Sequence, residues 1–336
     1  MEQNAYGFEF ELEQIKALIE ERRVRRVGLQ IPSGLKRVAL AIAAEIYKET
    51  GADVILSGNS CYGACDIDWK LRGIVDILIH FGHTAAFPPG NGEREGEGEE
   101  EEDHQLKEKI QEHVFFVELR STIEIEPVVE MAVAEIRGDS VALVATVQHL
   151  HRLDGAKAVL ARAGKQAVIG KDGQVLGCEF GSCAESTCDE VLFVGSGCFH
   201  PEGIALYTGK RVIAADPFMM RISVFEQDEL IKERYNVIGR ALDAKSFGIL
   251  IGMKSGQFNL DEAVSLQRKA VAKGLEAYLI ALEEINEEQL LGFKVDGFVN
   301  TACPRLAEDF VHFKKPVLSI NEFEVVLGER GWDEIV

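Results

Sequence analysis

The chain has 336 residues, 46% hydrophobic and 27% charged, the composition of an ordinary globular protein long enough for two or three domains. A formal net charge of −20 repels phosphate backbones and anionic lipid, which argues against nucleic acid or a membrane surface as direct partners. No basic stretch followed by an apolar one opens the chain, no run approaches about eighteen uninterrupted apolar residues, and the seven cysteines are odd in number and scattered. A cytoplasmic protein without a disulfide framework is therefore expected.

Taken in chain order, VGLQIPSG from Val27 predicts a strand, 34–50 an amphipathic helix, and DVILSG from Asp53, ILIHFGH from Ile77 and VFFVELR from Val114 three more strands. The succession then returns. VALVATVQ from Val141, a helix over 151–164, QAVIG from Gln166, VLFVGSGCFH from Val191 and VIAADPF from Val212 repeat it. So do FGILIGMKSG from Phe247, a helix over 260–274, EAYLIA from Glu276, GFVNTACP from Gly297 and VLSINEF from Val317. From Val27 to Val141 and from Ile77 to Val191 the step is 114 residues; from Val141 to Phe247 and from Val191 to Gly297 it is 106. Two offsets preserved together are the signature of an internal repeat.

Continuous apolar strands alternating with helices imply parallel sheets covered on both faces. The expected fold is thus α/β, with three similar parallel-sheet βαβ domains in a pseudo-threefold arrangement: 1–124, 125–235 and 236–336. The fourth strand recurs only 98 residues on, from Val114 to Val212, which places a 16-residue insertion in the first repeat. That insertion is PPGNGEREGEGEEEED at 88–103, an acidic, glycine-rich tract of the kind that stays solvated as a loop. The seams fall near 122–130 and in the helical stretch 225–245, neither of them a Pro- or Gly-rich linker.

Ligands in such sheets bind beyond the carboxyl ends of the strands, where cysteine-bearing turns recur here: SCYGACDID at 60–68, VLGCEF at 175–180 and NTACPRL at 300–306. No ferredoxin-like C-x2-C run exists. Nor does the C-x3-C-x2-C loop of ordinary radical S-adenosylmethionine enzymes, because Asp68 stands three after Cys65. Two constructions remain open: a local zinc site from Cys178, Cys183 and Cys188, spaced by five, or a cluster drawing one cysteine from each repeat. The second fits the repeats better. Cys65 follows the second strand of its repeat, Cys178 the corresponding region, and Cys303 is expected to end the final strand of the third. Cys61 is the main rival of Cys65, Cys198 is expected as a buried strand-end thiol, and His83 and His200 end corresponding strands as rim histidines.

The ordered set LQIPSGLK at 29–36, YGACDID at 62–68, ILIHFGHT at 77–84, TVQHLH at 146–151, GQVLGC at 173–178, GSGCFHP at 195–201, ADPF at 215–218 and TACPRL at 301–306 resembles one family over almost the whole chain. That family is the archaeal 2-(3-amino-3-carboxypropyl)histidine synthases, enzymes of the first step of diphthamide biosynthesis. The resemblance implies a homodimer of three-domain α/β subunits with a 4Fe-4S cluster held by Cys65, Cys178 and Cys303, leaving one iron open for S-adenosylmethionine.

It further implies that an electron from the reduced cluster breaks the bond from the sulfonium sulfur to the methionine γ-carbon. The resulting 3-amino-3-carboxypropyl radical adds to carbon 2 of a histidine of translation elongation factor 2. A cellular reductant is then required. His83, Gln148, Gly195, Ser196, Gly197, Asp216 and Arg305 are the candidate cofactor-binding residues, with Arg305 suited to a carboxylate and Asp216 also able to form a turn before Pro217. The acidic insertion and the thiols of Cys61, Cys183 and Cys188 depart from a compact family pattern. Competing expectations are a non-catalytic iron-sulfur support subunit and a zinc-stabilised nucleotide-binding protein.

Overall fold

Three sheets organise the chain, each built on aliphatic runs buried on both faces. The computed structural model describes residues 7–84 and 112–336, and the acidic tract 88–103 lies outside the described residues. The first sheet comprises β1 (Arg26–Gln30), β2 (Asp53–Leu56), β3 (Ile77–Phe81) and β4 (Val114–Val117), all parallel in the order β2-β1-β3-β4. The second comprises β5 (Ser140–Ala145), β6 (Gln166–Val168), β7 (Glu190–Val194), β8 (Arg211–Asp216) and β9 (Arg221–Phe225), in the order β6-β5-β7-β8-β9. The third, all parallel, comprises β10 (Ser246–Gly252), β11 (Glu276–Leu282), β12 (Gly297–Asn300) and β13 (Val317–Leu318), in the order β11-β10-β12-β13.

The same order recurs three times: the first strand of each sheet lies between the second and the third. The chain therefore reverses direction of travel across each sheet between its first and third strands, the position where such sheets bind ligands. The predicted helices are present with trimmed ends, as Lys36–Thr50, Leu153–Arg162 and Leu260–Ala272. In the first of these Val38, Ala39, Ile42 and Ile46 form the buried stripe, packed with Phe10, Leu29, Ile79 and Phe81 in one core. It stops at Gly51, whose φ of 71° sits in the left-handed region that favours glycine.

Two expectations need correction. The second sheet is not wholly parallel, because β9 runs antiparallel to β8 through a tight turn. Asp216 Oδ1 accepts from the backbone N–H of Phe218 (2.9 Å) and Met219 (3.1 Å), closing that turn. Cys303 does not follow the last strand of its sheet: it follows β12, and β13 comes after it.

Packing divides the chain into two compact units. One holds the first sheet and consists of the described residues up to Glu124 together with Val147–Arg152; the other, Ile125–Thr146 and Leu153–Val336, holds the second and third sheets. Inside the latter, the predicted helical stretch is the helix Gln227–Ala241. Its buried Arg234 forms two 2.6 Å bonds to the Glu322 carboxylate and donates to the carbonyls of Ala307 and Val317. Four of the five guanidinium N–H groups so meet an acceptor, the condition under which a buried ion pair is tolerated. Among the described residues no helix is long and apolar enough to cross a membrane.

Candidate functional site

Cys65 lies half-buried in a single 3-10 turn, Ala64–Asp66, in the loop after β2. The loop is braced by polar side chains. Asp68 Oδ2 accepts from Ser57 Oγ (2.6 Å) and Asn59 Nδ2 (2.9 Å), and Asp66 Oδ2 accepts from the Tyr62 N–H (3.3 Å). From β1, the Gln30 amide donates to the Asp66 carbonyl (2.5 Å) and accepts from the Asp68 N–H (3.0 Å). Lys36 Nζ donates to the carbonyls of Gly58 and Asn59 at 2.8 and 2.5 Å. With Asp66 and Asp68 both buried, this network sets the path of the backbone that presents Cys65.

In the same unit His80, on β3, is fully buried, with Nδ1 2.9 Å from Gln30 Oε1 and Nε2 2.9 Å from His83 Nδ1. Burial, followed by the neighbouring imidazole, pushes His80 down to about 3; burial pushes His83 down to about 4, opposed by the carbonyls of Tyr62 and Phe81. Both rings are neutral at physiological pH. The intervening Gly82 has φ of 87°, and a Cβ there would sit 2.9 Å from the Pro32 ring. Gln148 Nε2 donates to the carbonyls of Gly82 (2.8 Å) and Glu118 (3.1 Å), so Gln148 steadies the turn that presents His83.

In the other unit Cys178 is exposed, at the tip of a turn closed by the Leu176 N–H donating to the Glu179 carbonyl (3.0 Å). Gly177 is required there because a Cβ would come within 2.3 Å of the Phe199 ring. Across that ring lies Arg305, its guanidinium carbon 4.7 Å from the centroid, while Arg305 Nε donates to Asp309 Oδ2 (3.0 Å). Arg305 is two residues beyond Cys303, a half-buried thiol whose carbonyl accepts from Asn300 Nδ2 at 2.7 Å. Phe199 thus joins the segment carrying Cys178 to the segment carrying Cys303. Immediately before it runs Gly195-Ser196-Gly197, with Gly197 at φ 82° and Ser196 Oγ donating to Asp216 Oδ1 (2.9 Å).

The remaining cysteines sort by environment. Cys183 and Cys188 belong to the core of the second sheet, their thiols donating to the Phe180 carbonyl (3.2 Å) and Ser140 Oγ (3.5 Å), and burial pushes Cys183 up to about 11. A zinc site from Cys178, Cys183 and Cys188 is not formed: among the described residues only Cys61, His80 and His83 bring three ligand atoms close enough for one ion. Cys198, expected buried, is exposed just before the helix Phe199–Thr208, because β7 ends at Val194 and the glycine turn carries the chain outward. His200 stacks on Phe193 at 5.6 Å.

Phe199, Gln30 and Glu308 had no sequence argument of their own. Phe199 stands inside GSGCFHP and Gln30 inside LQIPSGLK, so the motifs contained them without assigning a task. Glu308 follows Cys303 on a short helix, one carboxylate oxygen is buried without a hydrogen bond, and burial raises it to about 7.

Residues 31–336 match the family model described as "Putative diphthamide synthesis protein". The chain is 33% identical to the 2-(3-amino-3-carboxypropyl)histidine synthase of Pyrococcus horikoshii, over 97% of this chain and 94% of that protein. It is 30% identical to subunit 1 of the corresponding synthase of Encephalitozoon cuniculi, over 97% and 91% of the two chains. Crystal structures of Dph2 from Pyrococcus horikoshii superpose with a TM-score of 0.80 at 32% identity, covering 96% of this chain and 91% of that one. The form with a 4Fe-4S cluster superposes at 0.79, also at 32% identity, over 98% and 94%. With three sheets of one strand order, its cysteine turns and near full-length identity to these synthases, the chain belongs to the diphthamide synthesis family and is an enzyme of the transferase class.

Proposed function

We propose that the protein transfers the 3-amino-3-carboxypropyl group of S-adenosylmethionine to carbon 2 of a histidine of translation elongation factor 2, the first step of diphthamide biosynthesis. The observation that carries this reading is a set of three cysteines outside any disulfide, Cys65, Cys178 and Cys303, each in a turn beyond a strand of a different sheet of the same strand order. On this reading each sheet centres one domain, 1–124, 125–235 and 236–336, the last two packed into a single compact unit and sharing the helix Gln227–Ala241 at their seam.

The donor chemistry fits a 4Fe-4S cluster: soft thiolates, each half-buried or exposed, on loops rich in small residues. Three protein ligands leave one iron open, the logic that separates catalytic from structural metal sites. When bound and reduced, the cluster supplies one electron to the sulfonium of S-adenosylmethionine, breaking its bond to the γ-carbon and yielding methylthioadenosine and a 3-amino-3-carboxypropyl radical.

The chain's own residues aim that bond. Arg305, steadied over Phe199 and by Asp309, recruits the methionine carboxylate. The Gly195-Ser196-Gly197 turn, pinned by Asp216 and by the Gly195 N–H donating to the Ala215 carbonyl (3.1 Å), offers the backbone N–H groups of Ser196 and Gly197, and His83 and Gln148 add polar groups beyond β3. Asp216 and Gln148 act by holding those loops. The working assembly is a homodimer in the cytoplasm, supplied with electrons by a cellular reductant and open to a loop of its protein substrate.

Anaerobic incubation of the purified protein with labelled S-adenosylmethionine, dithionite and an archaeal elongation factor 2 tests this. The expected result is methylthioadenosine and one labelled histidine on the factor. Iron-loaded protein that forms neither product without an added partner subunit would instead be a support subunit.

A further inference from the structure

We propose that Cys61, His80 and His83 form a second metal site, built to take one divalent cation of the zinc type and using none of the three proposed cluster ligands. Their donor atoms lie within 4.8 Å of one another: Cys61 Sγ is 3.9 Å from His80 Nε2, which is 2.9 Å from His83 Nδ1. Tetrahedral zinc with Zn–S of about 2.3 Å and Zn–N of about 2.0–2.1 Å places such donors about 3.3–3.6 Å apart. The two observed separations straddle that range, so closing the set on an ion asks for side-chain adjustment inside the 4.8 Å span of the three donors. One nitrogen, one nitrogen and one sulfur leave a fourth position for water.

The hydrogen bonds around His80 aim the right atom. Gln30 donates its amide N–H to the Asp66 carbonyl and accepts the Asp68 N–H, which fixes its Oε1 as the atom facing His80 Nδ1. An amide oxygen only accepts, so Nδ1 carries the proton and Nε2 presents its lone pair toward His83 and Cys61. That is the arrangement by which ligating histidines are oriented in metal sites: the second ring nitrogen donates to a fixed acceptor. His83 Nδ1 then donates to His80 Nε2, and an incoming cation takes the place of that proton, which moves to the other ring nitrogen of His83, while the Cys61 thiol releases its own proton to solvent.

The three ligands come from two segments, Cys61 from the loop after β2, and His80 and His83 from the end of β3 and the turn beyond it. A bound ion ties these segments together four residues ahead of Cys65. Its role is to hold the loop that presents a cluster cysteine, and nothing in the proposal requires the cluster to be there.

The test uses the full chain, purified anaerobically from zinc-supplemented cells, with zinc and iron measured together. The expected result is a single zinc in addition to cluster iron. After removal of zinc by a chelator, added cobalt(II) should give thiolate-to-cobalt charge-transfer absorption. Cys61→Ser should abolish that absorption and the bound zinc while retaining cluster iron, and His83→Asn should weaken cobalt affinity at least tenfold. Circular dichroism of each variant separates ligand loss from unfolding. Cys178→Ala and Cys65→Ala should keep both zinc and the cobalt band even if they lose iron, which makes failure of the cluster reading distinguishable. Wild-type protein with no zinc and no cobalt-thiolate band, or a band that survives Cys61→Ser or vanishes in Cys178→Ala, overturns the proposal.

Discussion

The loops after β2 and β6 occupy the same place in two sheets of the same order, and each carries a proposed cluster cysteine, yet they are built in opposite ways. Cys65 sits in a loop crossed by buried and part-buried side-chain hydrogen bonds of Gln30, Ser57, Asn59, Asp66 and Asp68. Cys178 sits at the exposed tip of a turn that rests on a single aromatic ring. A thiolate can therefore be positioned by a lattice of side-chain hydrogen bonds or by a short turn shaped against a ring. The first is costly to break because each lost partner strands a buried polar group, and the second is sensitive to added volume rather than to lost charge.

The largest contrast comes from removing the thiols themselves. Cys65→Ala and Cys178→Ala should both reduce methylthioadenosine formation to background, while only Cys65→Ala reports on a loop whose fold survives by other bonds; normal turnover by either variant defeats the cluster assignment. Next in size, Asp68→Ala removes the acceptor of Ser57 and Asn59 and should cost about 2–3 kcal/mol, read as a lower urea midpoint. In the Cys178 turn the corresponding acceptor is Glu179, whose carboxylate takes only the Gly181 N–H (2.7 Å) among the hydrogen bonds described.

There the matching change is Gly177→Ala. Its Cβ would press on Phe199, and the displaced ring should cost about 1–3 kcal/mol and weaken S-adenosylmethionine binding through Arg305. An unchanged binding isotherm would separate the Phe199 contact from the cofactor.

A further contrast is a pH slope confined to the first loop. His80 and His83 have folded values near 3 and 4 against an ordinary 6.5, so below pH 6.5 the unfolded chain binds protons that the folded chain refuses. Chelator-treated protein should lose stability progressively as pH falls from 6.5 towards 4, and His83→Asn should flatten the slope in denaturant titrations. Equal slopes in the two proteins would mean that other groups govern the acid limb.

Much of this is legible in the sequence. Apolar runs and their repeat spacing locate twelve of the thirteen strands among the described residues and the three long crossover helices, since runs such as VALVATVQ and GFVNTACP are buried on both faces and advertise themselves by continuous apolarity. β9 escaped because RISVF is a half-exposed edge strand, and its pairing depends on an Asp216 cap that local sequence does not display. Cys198 was misplaced for a related reason: GSGC carries the chain out of the sheet before the thiol is reached.

The sequence by itself determined the three-sheet α/β order, the cysteine turns at strand ends and the family motifs, because each depends on residues adjacent in the chain or on fixed spacing. Only the tertiary structure decided that Cys183 and Cys188 are core residues, that Phe199 joins the Cys178 and Cys303 segments, and that Cys61 faces two neutral histidines. Those facts arise where segments far apart in sequence are pressed together, and a one-dimensional pattern holds no measure of the distance between them.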